Sequence, residues 1–159
     1  MYLFLKLVHV AAVIVFLGNI SLGIFWKRIA DQTEQSAIMA HTIGGIIRAD
    51  RLFTVPGVIV LVFAGIATAI VGQLPLLSTG WILWGLILII GSGLAFIPVA
   101  RAQQKLYDLA KRGLSTQAER TEYERLSGSW NLWGGIALTL PLIALIFMVL
   151  KPSLPAFHH

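Results

Sequence analysis

A histidine six residues into an apolar run, His9 in the stretch that opens at Leu3, is the first residue whose type and place could do chemistry. At a rise of 1.5 Å per residue it lies about 9 Å below the start of its helix. An ionisable group at that depth is costly and points to a function. Neutral imidazole is a good axial ligand for haem iron and can also carry a proton. The plain alternative, of equal weight, is a histidine bonded to a neighbouring helix or to interfacial water. Lys6 lies three residues earlier and shares a helical face with His9. A lysine near the surface, above a histidine that faces a bundle, suits a haem with its propionates turned outward. A terminal lysine more often snorkels to the interface.

A second ligand is harder to place. His41 lies on the connection 27–52, whereas His9 is in the opposite half of the first run, so the two should be some 20 Å or more apart in depth. Met148 lies near the far end of the last apolar run, at a depth similar to His9, and His/Met ligation is chemically reasonable. A methionine in an apolar helix more often only packs. His158 and His159 close the chain as a native tail or a purification-tag remnant. Asn19 is expected to hydrogen-bond across helices. Arg48, Asp50 and Arg51 are expected to form a basic collar at the start of the second run, with a local ion-pair cluster as the alternative. No HExxH, GxSxG, P-loop or dinucleotide motif occurs. Three scattered methionines make no copper site. The lack of cysteine excludes disulfides, iron–sulfur clusters and c-type haem attachment.

The elements that must hold these residues are transmembrane helices. Of 159 residues, 57 % are hydrophobic and 12 % charged, whereas soluble domains carry about 25 % charge. Four runs are long enough for one crossing each: about 3–26, 53–73, 81–100 and 130–150. The first is too long for a signal peptide and lacks a basic start and a cleavage site. The expected fold is an all-α, integral membrane, four-helix antiparallel bundle, a single domain over residues 1–159. Short amphipathic helices are expected in the connections, one from Asp31 to Met39 and one after a Gly113 stop, capped by Ser115–Thr116. Pro75 and Gly80 break the link between the second and third runs, which makes those runs a tight antiparallel pair.

Ten of the twelve lysines and arginines fall in the connections 27–52 and 101–128. The positive-inside rule makes these cytoplasmic, with both termini outside, in the cell inner (plasma) membrane. Trp81 and Trp84 then mark one interface, Trp26 and Trp130 the other. The net charge of +5 reflects those connections and not nucleic-acid binding. Gly57, Gly65 and Gly72, Gly91 and Gly93, and Gly134 and Gly135 allow close helix approach, and are compatible with a homodimer. Pro141 should kink the last helix and free a carbonyl that a neighbour must satisfy.

Leu5-Lys6-Leu7-Val8-His9-Val10 followed by Gly18 resembles the first helix of the HemJ-type, CopD-related membrane proteins. Arg51-Leu52, Pro56 and Gly65 resemble the next helix of that group, and Gly80-Trp81-Ile82 resembles the Gly-Trp-Leu that opens its third. Within that superfamily the chain is most similar to a branch of short four-helix proteins of unknown function. The resemblance implies a haem b protein with His9 as ligand. HemJ itself is a protoporphyrinogen oxidase whose third helix carries a His and a Lys where this chain has Leu83 and Gly85, a departure that counts against the same reaction here. The expectation is therefore a membrane haem b protein in electron transfer or oxidoreduction with a redox partner. His9 would bind iron, Lys6 would meet a propionate and Met148 would be a sixth ligand. The alternatives are a small transporter, which Asn19, Ser92 and Thr139 support only sparsely, and an assembly subunit that docks a partner through Arg112 and Arg120.

Overall fold

A computed structural model describes residues 1–157. They form five α-helices: α1 (Tyr2–Gln32), α2 (Ser36–Ala49), α3 (Val55–Val71), α4 (Gly80–Arg112) and α5 (Gln117–Leu150). A π-helical turn, Asp50–Thr54, joins α2 to α3 without a break. Four helical rods therefore alternate in direction, each long and apolar enough to cross a membrane. Both described chain ends and the α3–α4 link lie at one end, the terminal end. The α1–α2 and α4–α5 turns lie at the other, basic end.

The rods are longer than the apolar runs. α4 has 33 residues, about 50 Å at 1.5 Å per residue, against a hydrocarbon core of about 30 Å. The excess lies at the basic end. The expected helix from Asp31 to Met39 is instead cut at Thr33–Gln35, where Glu34 takes a positive φ of 53°. The expected short helix after Gly113 is the first part of α5 itself. Its start is set by a capping box: Glu119 donates its backbone N–H to the Thr116 hydroxyl, and its carboxylate accepts from the Thr116 backbone. Gly113 ends α4 in the left-handed region, φ 106°, as a C-terminal glycine does. The basic-end extensions have their own core, in which Ile43 and Leu106 are almost fully buried beside Tyr123 and Trp130.

α3 does not pair with α4. It packs on α1, while α4 packs on α5 and α2. The expected tight pair of the second and third runs is thus two separate pairs, α1/α3 and α4/α5. The physical reason lies in the small residues. Gly57 and Gly65 on α3, and Gly72 just past its end, face Phe16, His9 and Tyr2 of α1, so α3 presents its flattest side to α1.

Three prolines lie in the rods, Pro56, Pro98 and Pro141, and the partners of two can be traced. Pro141 cannot bond the Ala137 carbonyl one turn back, and the Ser92 hydroxyl of α4 donates to that carbonyl at 2.7 Å. The expectation that a neighbour satisfies the freed carbonyl is met. Pro56 lacks an N–H near the start of α3. Just before it, the Val55 N–H reaches back five residues to the Asp50 carbonyl, so the ladder widens into the π turn.

Ser92→Ala should lower stability by about 1 kcal/mol, because it leaves the Ala137 carbonyl bare in the bundle. In a Pro141→Ala background, where the restored backbone N–H takes over that carbonyl, the same substitution should cost much less. Equal costs in both backgrounds, read from thermal unfolding in detergent, would refute the pairing.

Candidate functional site

The two helix pairs separate toward the terminal end and leave a cavity of about 690 Å³ between them, within the range of small-molecule and cofactor sites. His9 lines it from the α1 side and Met148 from α5, with Lys6, Lys151, Tyr2 and Trp81 also in the wall. All three residues singled out from the sequence for cofactor binding thus meet at one cavity. The rest of its lining is mostly apolar, including Leu17, Leu61, Leu86 and Ile89.

His9 is held by α3. One ring nitrogen, Nδ1, lies 2.8 Å from the carbonyl oxygen of Leu61. Since the carbonyl only accepts, Nδ1 carries the proton and donates. Nε2 is left with its lone pair, the form in which histidine binds a metal, and a backbone carbonyl on the other nitrogen is the usual support of a ligand histidine. The ring lies over bare backbone at Gly65. A Cβ there would stand 2.8 Å from Cε1 and 2.9 Å from Nδ1, so only glycine leaves the imidazole in place.

Met148 is seated in the same way. A Cβ at Gly85 would stand 2.5 Å from its methyl group. Met148 takes up the space that a side chain at position 85 would need. Lys151 is 5.4 Å from the centre of the Trp81 ring, near enough for a cation–π contact. Lys6 is exposed. Two cationic side chains therefore border a largely apolar chamber. Beyond Lys151 the chain crosses back over the α3–α4 link: Phe157 N–H donates to the Leu77 carbonyl at 3.2 Å, and Trp84 Nε1 donates to the Pro155 carbonyl at 3.1 Å.

His41 is exposed on α2 at the basic end and takes no part in this cavity. His158 and His159 lie outside the described residues. No group of three or more His, Cys, Asp or Glu side chains that could hold a metal occurs among the described residues.

The polar residues of the other half form a second constellation. Asn19 does bond across helices: its Nδ2 donates to Asp50 Oδ1 at 3.2 Å and to Thr54 Oγ1 at 2.7 Å. Thr54 donates to the same Asp50 oxygen at 2.8 Å, one π turn back. Gln103 Nε2 of α4 donates to Asp50 Oδ2 at 2.8 Å, and Gln103 Oε1 accepts from Trp130 Nε1 at 3.2 Å. Two expectations are corrected here. Asp50 belongs to no collar or ion-pair cluster with Arg48 and Arg51; it is buried, and both arginines are exposed. Trp130 is no interfacial tryptophan but is 4 % exposed, deep between helices.

Lys27, placed by sequence among the cationic residues of a connection, is 1 % exposed and, among the described residues, the only lysine or arginine that is not at the surface. Its ammonium donates to Asp31 at 2.5 Å and to Ser127 at 2.6 Å, and lies 5.0 Å from the Trp130 ring centre. Tyr123 donates to the other Asp31 oxygen at 2.7 Å. The signals available in sequence were the i,i+4 spacing of Lys27 and Asp31 and the Tyr123, Ser127, Trp130 series, spaced along one face of α5. Ser92, like Asn19, spends its polar groups between helices, whereas Thr139 is exposed and bonds the Gly135 carbonyl of its own helix; the three outline no continuous polar path. Arg112 and Arg120 are both exposed beside the α4–α5 turn.

Fold and site together define an integral membrane helical bundle with four spans and a cavity at one end. The chain belongs to the family described as "Predicted integral membrane protein (DUF2269)", which it matches over residues 3–152. No curated protein and no solved structure matches it.

Lys27→Met should destabilise the protein by about 1–3 kcal/mol, because it removes the cation that balances Asp31, leaving that carboxylate only the Tyr123 and Ser127 hydroxyls. Adding Asp31→Asn should return part of that loss. A double-mutant cycle by thermal unfolding measures the coupling, and purely additive costs would rule out the pairing.

Proposed function

We propose that this protein binds haem b in the terminal-end cavity and serves in membrane electron transfer or oxidoreduction. The observation that carries the reading is His9. Its Nδ1 is held on the Leu61 carbonyl, its ring lies over a glycine where a side chain would displace it, and it lines a largely apolar chamber. The resemblance of the first helix to the HemJ-type, CopD-related proteins supports the same assignment.

The residues suit the group. His9 Nε2 would be the axial ligand. Lys6 and Lys151 would meet the propionates, as the two lysines in the cavity wall. The apolar lining would exclude water from the macrocycle. Met148 lines the cavity from the opposite helix pair, and its thioether would be a sixth ligand. Haem bound there supplies reversible one-electron oxidation and reduction. The surrounding side chains set its potential through ligand identity and burial. Such a protein would work with a redox partner in the plasma membrane, with the basic end cytoplasmic and the cavity toward the outer face.

The test is the optical spectrum of protein purified in detergent after haem-replete expression. A Soret band is expected, and its absence would overturn the reading. His9→Ala should abolish the band, and Gly65→Val should weaken it severely by driving the imidazole out of place. Met148→Leu should keep the band and alter only the ligand-dependent features. A His9→Ala protein with a wild-type spectrum would remove His9 as the ligand.

A further inference from the structure

The terminal-end cavity is walled unevenly. Among the described residues, every exposed member of its lining lies on α1, on α5 or at Lys151, just past the end of α5. The lining residues of α3, of the α3–α4 link and of α4 are all buried or half-buried. The open side is therefore the seam between α1 and α5. Its rims are Lys6, Val10 and Ile14 on one side and Leu145, Val149 and Lys151 on the other. The hydrogen bonds that join α1 to α5, those of Lys27 and Asp31 with Ser127 and Tyr123, lie at the basic end and leave this seam unbridged. The terminal face differs. Beyond Lys151 the chain lies over the α3–α4 link, where a Cβ at Gly80 would collide with the Leu154 carbonyl and where Trp84 and Leu77 hold Pro155 and Phe157.

We propose that the seam between α1 and α5 is a lateral portal that admits haem to the cavity from the bilayer. The inference rests on the haem reading of the cavity and adds the route and the residues that form it. The chemistry of the rims fits that ligand. Val10, Ile14, Leu145 and Val149 offer apolar side chains to an apolar macrocycle set edge-on between two helices. Each rim also carries one lysine, and haem carries two propionates. An unpaired carboxylate is costly among lipid tails, and a charge-assisted bond to an ammonium offsets that cost. One ammonium on each rim can hold one propionate while the ring lies between the helices. A lipid tail would need only the apolar part of the rims, so the two lysines favour a ligand with two acids.

The experiment follows haem uptake by the full chain, stripped of haem and reconstituted in liposomes. Hemin is supplied at concentrations where the rate no longer rises, so that the limiting step is entry into the protein. Growth of the Soret band gives the rate, and its final height gives the occupancy. Val10→Trp with Leu145→Trp narrows the seam and should slow uptake about tenfold at unchanged final height. Val10→Ala with Leu145→Ala widens it and should speed uptake severalfold, again at unchanged height. Ile90→Trp, at an exposed position of α4 outside the cavity lining, should load at the wild-type rate. Should the tryptophan pair lower the final height, the alanine pair decides alone. The portal is overturned if the narrowed and widened pairs both load at the wild-type rate, or if Ile90→Trp slows uptake as much as the narrowed pair. In both cases the Soret band remains and the haem reading stands. Absence of the band in the wild type overturns the two together.

Discussion

Two buried opposite charges, joined through two neutral side chains, hold the basic end together. Asp50 accepts from the amide of Gln103, the carbonyl of Gln103 accepts from the indole of Trp130, and the face of that indole meets the ammonium of Lys27. Each dipole in the series points its positive end toward Asp50 and its negative face toward Lys27. In surroundings of low dielectric such aligned groups strengthen one another. The series touches α1, the π turn, α4 and α5, so it fixes four segments at once. Lys27 is itself locked to Asp31 and Ser127, which extends the same constraint to the ends of α1 and α5. At the terminal end the polar ties between segments are fewer, His9 on the Leu61 carbonyl and the C-terminal segment on Leu77 and Trp84, and there the two helix pairs diverge.

That asymmetry explains how one bundle contains both a tightly cored half and a cavity. The basic end buries aromatic and aliphatic side chains around a satisfied polar network. The terminal end has small residues facing α1, which draw α3 away from α4, and the gap between the pairs becomes the chamber. His9 and Met148 each sit over a glycine of a partner helix, Gly65 and Gly85. The chamber walls are thus built by the omission of side chains as much as by their presence.

Much of this was legible in the residues. Hydropathy identified four crossings because a spanning helix must satisfy its backbone internally and show apolar side chains to lipid. Gly113, the Thr116–Glu119 cap, the Pro141 carbonyl and the cross-helix role of Asn19 followed from local chemistry. His9 and Met148 were brought to one depth by helical rise, with Lys6 one turn nearer the surface. What failed was of another kind. Hydropathy treats every lysine as surface, so Lys27 was assigned to a connection although its neighbours are an aspartate one turn on and a serine and two aromatics of α5. Asp50 was read with the arginines beside it in sequence, whereas a helix turns those arginines outward and the aspartate inward. The pairing of the second and third runs was inferred from a short link, but link length sets only the order of helices along the chain. The stripe of glycines decided the partner.

The cavity is continuous with the flank of the protein: Ile14 and Val149 line it and are also 66 % and 67 % exposed. A molecule that fits it can therefore arrive sideways, out of the hydrocarbon, without crossing water. Its effective concentration is then set by partition into the bilayer, where each buried CH₂ is worth about 0.8 kcal/mol. Most of the gain from leaving water is taken before the protein is met. Discrimination between apolar molecules of similar size would fall to the few polar groups in the wall, and above all to one imidazole.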